Sequence, residues 1–302
     1  MGHITYSTLP AWLRVMRPEQ WTKNGVVLAA LFFAYLDPSQ GLEALCYIPA
    51  LRALGAFAVF CLASSGVYVF NDLRDVAADR LHPVKCLRPI AAGEISSRMA
   101  KVLAAVLAGV AFIGALLLSK SMAVVVAIYL IMQSFYTLWL KHIAMLDVFV
   151  IAVGFVIRAM AGAVVLGVRI SPWLLLCTFL LALFLALCKR RQEKVTKSED
   201  EQRATLRRYN VPLLNQLISI SASATVVSYS LYTLSPDTIE RFGTPLMGLT
   251  IPFVIFGIFR YIHLVYVCSE GERPERTLLT DAVLMSTVFL FLITVALLHF
   301  LG

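Results

Sequence analysis

The sequence predicts an all-α integral membrane protein, a single bundle of nine transmembrane helices spanning 1–302. Three observations carry this. Of 302 residues 60% are apolar and 15% charged, with mean hydropathy +0.81, whereas soluble domains hold roughly 45–50% apolar residues. Seven stretches, 53–70, 102–118, 122–140, 172–188, 211–234, 244–259 and 282–300, carry no charge and approach or reach the ~20 residues that cross a bilayer. Basic residues, finally, collect in alternate connections. In lipid each backbone polar group must be paired within its own segment, so the stretches are helices. A disordered chain, a secreted disulfide scaffold and a soluble nucleic-acid binder are excluded together, despite the net charge of +8.

Taken in order, residues 1–23 lack the apolar run and cleavage site of a signal peptide and read as an amphipathic interfacial segment. A short apolar stretch, 24–36, is the first span and 53–70 the second. A long polar loop, 71–101, precedes the spans 102–118 and 122–140. The fifth, 145–166, contains Asp147 and Arg158; the sixth, 172–188, leads into a second long loop, 189–210. Three spans follow, 211–234, 244–259 and 282–300. If the N-terminus is cytoplasmic, 21 of the 26 Lys and Arg residues fall on the cytoplasmic side, which sets the N-terminus inside and the C-terminus outside a plasma (inner) membrane. The outer connections near 37–46, Lys120, Arg169 and 235–243 are short, so the chemistry belongs to the cytoplasmic face. The two long loops stand about four helices apart, a hint of internal duplication. Six cysteines without CxxC spacing read as small core residues, with no disulfide or zinc site. No GxSxG, HExxH, Walker or GxGxxG pattern is present, and His82, His142 and His263 lack metal-ligand spacing.

The stretch VFNDLRDVAADRLHPVKCLRPIAAG, 69–93, is the most informative. Asn71, Asp72, Asp75 and Asp79 fall on adjoining turns of one helical face, with neighbouring Cβ atoms ~5–6 Å apart. Crowded carboxylates repel, and Mg²⁺ or nearby Arg and Lys can offset that. Mg²⁺ favours one or two carboxylates plus phosphate oxygens and waters, so a cluster beside Arg80, Lys85 and Arg88 suits a Mg²⁺-bound diphosphate. Ionisable groups at membrane depth line cavities or find partners, which makes Asp147 and Arg158 functional candidates. They stand ~16 Å apart along the axis and do not pair; Asp147 is expected within reach of Tyr136 and Lys141. Lys189, Arg190, Arg191, Glu193 and Lys194 close the sixth span, where topology alone also supplies positive charge. Arg17, Lys23, Trp12 and Trp21 fit interfacial anchors equally well.

At NDLRDVAAD the sequence resembles the UbiA-type superfamily of intramembrane prenyltransferases, whose first Asp-rich motif reads NDxxDxxxD after the second of nine helices. The stretches RPEQWTKN (17–24), DRLHPVKCLRPIAAG (79–93), YTLWLKHIAMLD (136–147), RAMAGA (158–163), CKRRQE (188–193) and GERPERTLLTD (271–281) resemble its phosphoribosyl-transferring branch. The wider superfamily carries a second acidic motif after the sixth helix, where this chain reads CKRRQEKVTKSEDEQRATLRRY. A basic loop suits a substrate pair richer in phosphate.

The resemblance implies transfer of the 5-phosphoribosyl group from phosphoribosyl diphosphate to a polyprenyl phosphate such as decaprenyl phosphate, for a cell-wall arabinan precursor. It implies Mg²⁺ on Asp72, Asp75 and Asp79, with Asn71 hydrogen-bonding beside them. Arg80, Lys85 and Arg88 would bind phosphates, and Lys141, Lys189 and Arg190 would neutralise the ribose 5-phosphate or the lipid phosphate. Tyr136 would orient an oxygen, Glu193 a ribose hydroxyl, and Lys23 would meet the lipid phosphate; Asp147 and Arg158 complete the expected substrate site. Two alternatives stand: a prenyltransferase of the same fold with an aromatic acceptor, and a lipid-binding or transport protein. The oligomeric state stays open, a homo-oligomer included.

Overall fold

A computed structural model describes residues 9–36, 47–169, 171–196, 204–272 and 274–301. Among them every regular element is helical. After α1 (Ala11–Met16) comes a 3-10 helix, Pro18–Gly25, that runs into α2 (Val26–Tyr35). There follow α3 (Tyr47–Leu81), α4 (Ser97–Leu118), α5 (Lys120–Leu138), α6 (Leu146–Leu166) and α7 (Pro172–Thr196). The chain continues through α8 (Ala204–Arg207), α9 (Val211–Thr233), α10 (Pro236–Phe242), α11 (Ile251–Tyr266), α12 (Pro274–Thr280) and α13 (Ala282–Leu301). The outer connection 37–46, Cys46 included, and the part 197–203 of the second long loop lie outside the described residues.

Among the described residues seven helices are long and apolar enough to cross a membrane: α3, α4, α5, α6, α7, α9, and the turn Pro245–Thr250 continued into α11. The pair α12 and α13, bent by 80°, makes an eighth. The remaining expected span, 24–36, has only ten α-helical residues; the eight residues before it wind as a polar 3-10 helix, because Pro18 opens the segment and Glu19, Gln20, Lys23 and Asn24 seek partners outside it. The expected breaks fall where the local chemistry sets them. Ser96, Ser119, Asn210 and Ser235 each accept a backbone N–H from the first turn of α4, α5, α9 and α10, satisfying donors that an α-helix leaves unpaired. Gly167, at φ 71°, closes α6 in the left-handed conformation that glycine adopts without strain.

Two apolar cores hold the bundle, and α6 belongs to both. One gathers Val27, Phe60, Ala111, Met122, Tyr129 and Ala161 from α2 to α6; the other joins Ala152 to Phe184, Leu214, Ile258 and Leu284 from α7 to α13. Lipid offers no hydrophobic force between helices, so contact depends on small residues that let backbones approach. At Gly162 an added Cβ would stand 2.1 Å from the Val27 carbonyl oxygen, so α2 and α6 touch backbone to backbone. The outward face of α4 shows Val102, Val106, Ile113 and Leu117 instead, as a lipid-facing surface should. Polar side chains gather at one end of the bundle, where α3, α5, α7 and α11 finish. At the other end Leu36 packs with Phe242, Met247, Val295 and Leu298. The segment 18–36 and α13 thus each run from the polar end to its opposite. The five cysteines among the described residues are unpaired thiols.

Candidate active site

Helix α3 extends past the apolar part of the bundle, and its final turns carry the acidic residues. The structure groups the expected triad as two plus one. Asp72 Oδ1 and Asp79 Oδ2 converge on a single nitrogen, Arg88 Nη1, at 3.1 and 2.6 Å, and Arg17 Nη2 lies 2.5 Å from Asp72 Oδ1. Asp75 turns to Lys141, whose Nζ donates at 2.6 Å to Asp75 and at 3.1 Å to Asn71 Oδ1, while Asn71 Nδ2 donates to Asp75 Oδ2 at 3.2 Å. Both buried acids, Asp72 and Asp79, therefore depend on cations reaching in from other segments. Burial alone would lower the pKa of Arg17; the charge and hydrogen bond of Asp72 outweigh it and hold the guanidinium above its ordinary value. Arg17 itself sits at φ 54°, a left-handed backbone uncommon outside glycine, between α1 and the 3-10 helix.

No three His, Cys, Asp or Glu among the described residues are gathered as a metal cage. The donor chemistry nevertheless fits Mg²⁺. Two hard carboxylate oxygens already surround one cationic centre, and Mg²⁺ takes such a pair with phosphate oxygens and waters filling its octahedron.

A second charged group forms where α6 begins and α7 ends. Arg190 Nε donates to Asp147 Oδ2 at 2.8 Å and Nη1 to Glu193 Oε2 at 2.7 Å. The Tyr209 hydroxyl donates to Asp147 Oδ1 at 2.6 Å and accepts the Met145 N–H at 2.7 Å. Burial, then donation to that carboxylate, holds the Tyr209 phenol above its usual pKa. Met145 is at φ 71°, ψ −46°, a conformation close to the strained γ-turn, and Tyr209 braces it. This corrects the expected surroundings of Asp147: Arg190 and Tyr209 contact it, and Lys141 has gone to Asp75. Tyr136 lies within electrostatic reach of Arg190.

Between the two groups stand more cations than the protein neutralises. Lys23 Nζ is 3.5 Å from Glu275 Oε2, and Gln20 Nε2 donates to Glu275 at 3.0 Å. Burial, opposed by Glu275, pushes the Lys23 ammonium below its ordinary pKa. Lys189 feels both Lys23 and Glu275 and makes no hydrogen bond or ion pair among the described residues. Deeper in the bundle, Arg158 uses all three nitrogens inside the protein, donating to Asn24 Oδ1 at 2.7 Å, the Gly154 carbonyl at 2.9 Å and the Tyr129 hydroxyl at 2.8 Å, with its guanidinium 4.9 Å from the Tyr129 ring centre. All these acceptors are neutral. Arg158 thus ties the 3-10 segment to α5 and α6.

Two expected phosphate ligands stand apart from this centre. Arg80 Nε donates to the Ala91 carbonyl at 3.3 Å and braces the loop 82–93. Lys85 belongs to a 3-10 turn whose Val84 and Lys85 N–H groups are accepted by His82 Nδ1, which gives that lone histidine a structural role. The sequence did not mark Tyr209, Gln20 and Glu275 as parts of the site; it offered Arg17 as an interfacial anchor and Asn24 only as a member of RPEQWTKN. That stretch held the available signal: six polar or charged residues directly before an apolar run.

An all-helical bundle with its polar residues at one end and an NDxxDxxxD helix above it defines an intramembrane transferase, and the chain belongs to the UbiA prenyltransferase family, whose match covers residues 26–293. Within the family it is similar to decaprenyl-phosphate phosphoribosyltransferases. That of Mycolicibacterium smegmatis is 38% identical over 90% of this chain and 87% of the relative; that of Mycobacterium tuberculosis is 36% identical over 94% and 92%; that of Corynebacterium glutamicum is 33% identical over 94% and 86%. Among solved structures, a UbiA homolog from Archaeoglobus fulgidus bound to DMAPP and Mg²⁺ superposes with a TM-score of 0.71 at 17% identity, covering 96% of this chain and 97% of that one.

Proposed function

We propose that the protein transfers the 5-phosphoribosyl group of phosphoribosyl diphosphate to decaprenyl phosphate or a similar polyprenyl phosphate, releasing diphosphate, and so feeds a cell-wall arabinan precursor. The observation that carries this is the charge balance. Asp72 and Asp79 converge on one cationic centre, Arg88 Nη1, and beyond them the buried ammonium groups of Lys23 and Lys189 share Glu275, a set suited to one metal-bound diphosphate and further phosphate groups. The similarity to named phosphoribosyltransferases over about nine-tenths of the chain supports the same reading.

In this mechanism an oxygen of the lipid phosphate attacks the anomeric carbon, a new C–O–P link forms, and the bond to diphosphate breaks with its electron pair leaving on oxygen. No protein nucleophile and no proton transfer is required; the barrier is electrostatic and orientational. Asp72 and Asp79, with Asp75 adjoining, would hold Mg²⁺, which when bound neutralises charge on the departing diphosphate. Arg17 and Arg88 would turn from the carboxylates to diphosphate oxygens. Among the described residues Lys189 has no hydrogen bond or ion pair to give up, so its ammonium would meet the lipid or ribose phosphate directly, with Lys23 beside it. Arg190 keeps Nη2 for a substrate oxygen while its other nitrogens stay bound. Glu193 holds the neighbouring Nη1, Tyr136 lies within electrostatic reach of the same guanidinium, and Lys85, in the loop 82–93 outside this centre, would meet phosphate on its way in.

The same reading includes nine crossings, with 24–36 as the first, and a site on the cytoplasmic face of the plasma membrane. Segment 18–36 supports it by running from the polar end of the bundle to the opposite end, as does the collection of 21 basic residues on one side. The decisive experiment incubates purified protein with labelled phosphoribosyl diphosphate, polyprenyl phosphate and Mg²⁺. Label is expected in the lipid. Transfer of a prenyl group to an aromatic acid, without use of phosphoribosyl diphosphate, would overturn the proposal.

A further inference from the structure

On the face of α3 turned away from the carboxylates, α3, α4 and α5 leave a groove of about 740 Å³. Small residues create it: Gly66, Ala104 and Ala105 supply little side chain, and α3 meets α4 so closely at Gly66 that a Cβ there would lie 3.3 Å from the Ala104 carbonyl oxygen. Leu130 of α5 forms the far wall. Successive residues of a helix are rotated by ~100°, which puts Gly66, Phe70, Leu73 and Arg74 about half a turn from Asp72, Asp75 and Asp79. The groove is thus separate from the site described above.

Its polar mouth holds Arg74 and Lys101, both exposed and neither making an ion pair or hydrogen bond among the described residues. None of the lining residues is acidic. From Arg74 the furrow descends along α3 to Gly66, ~12 Å at 1.5 Å per residue, away from the polar end and between lipid-facing helices. Two unpaired cations at headgroup level above an apolar furrow call for a ligand that is anionic at one end and aliphatic at the other. A neighbouring protein helix would fill the furrow and leave both charges unanswered, whereas a phospholipid supplies both ends in one molecule.

We propose that this groove binds one anionic phospholipid, its phosphate between Arg74 and Lys101 and an acyl chain along Gly66, Ala104, Ala105 and Leu130. The interaction draws on the ~1 kcal/mol that each basic side chain gains from an anionic lipid surface, about five-fold in occupancy per charge.

The test uses the full chain in mild detergent, supplied with phosphatidylglycerol or phosphatidylcholine, with retained lipid counted by native mass spectrometry. Wild type is expected to keep one phosphatidylglycerol in clear preference to phosphatidylcholine. Arg74→Gln and Lys101→Gln should each lower that retention roughly five-fold. Ala105→Phe, which fills the furrow and leaves both charges in place, should displace the lipid altogether. Equal retention of the two lipids by wild type, or unchanged retention in the double charge variant, would overturn the proposal. So would efficient disulfide crosslinking of two Ala105→Cys chains in native membranes, which would make a second copy the occupant.

Discussion

Two charged clusters lie at the polar end of the bundle, alike in composition and opposite in design. At Asp72 and Asp79 the carboxylates are buried but their cations reach in from the surface: the Arg88 and Arg17 side chains are 23% and 22% exposed. At Asp147 and Glu193 the cation is buried as well, the Arg190 side chain being 8% exposed. A guanidinium at the rim can return to water at little cost, so the first cluster can exchange its cation for another. Withdrawing Arg190 would strand two acids away from water, where an unpaired charge costs several kcal/mol. The first cluster is the one we propose to hold a cargo that comes and goes. The second fixes the geometry around it.

The largest effect separating the two should come from Asp72→Asn. The amide keeps the shape and loses the charge, so transfer should fall at least ~10³-fold, in line with the several kcal/mol that a metal-bound diphosphate draws from its ligands, while the melting transition stays near that of wild type. A variant that retains transfer in metal-depleted buffer would end the assignment of Asp72 to metal. Arg190→Ala should act the other way, costing ~3–5 kcal/mol of stability by leaving Asp147 and Glu193 without their cation; thermal melting in detergent reads this directly, and an unshifted melt would move Arg190 into the exchangeable class. Lys189→Ala should leave stability intact, since the ammonium has no hydrogen bond or ion pair among the described residues, and weaken substrate affinity or rate ~10- to 150-fold through loss of one charge-assisted contact. Normal kinetics with a lowered melt would reverse its role. Smallest is Tyr209→Phe, which removes one donor to Asp147 and one acceptor for the Met145 N–H, for ~1–3 kcal/mol in melting stability.

The bundle was legible because its cause is one-dimensional. A charge-free run of about twenty residues states its own length, and α4, α5 and α9 follow those runs closely. The acidic helix was legible for the same reason: Asn71, Asp72, Asp75 and Asp79 sit on one element, and helical spacing alone brings them together. What sequence spacing could not give is the identity of partners from other helices. Asp147 was expected beside Lys141, its near neighbour across a turn, yet two acceptors compete for that ammonium and Asp75 takes it. Tyr209 and Glu275 were missed because each acts at a distance of 62 and 255 residues from its partners Asp147 and Gln20. Segment 18–36 was half legible: its apolar part announced a span, while the turn of 3-10 helix before it depends on Pro18 and on the partners that Asn24 and Lys23 find in α6 and α12.

The bend between α12 and α13 carries a consequence for how the protein is made. Helix α12 lies at 80° to α13 and lays Glu275 against Gln20 and Lys23, so residues translated near the beginning acquire this neighbour only after nearly all the spans have entered the membrane. Contacts so distant in sequence form late. A growing chain already possesses every carboxylate of the acidic helix, but the roof above Lys23 and Lys189 arrives only with α12. The ion pair that opposes the buried Lys23 ammonium therefore joins the first and last parts of the bundle and exists only in the assembled fold.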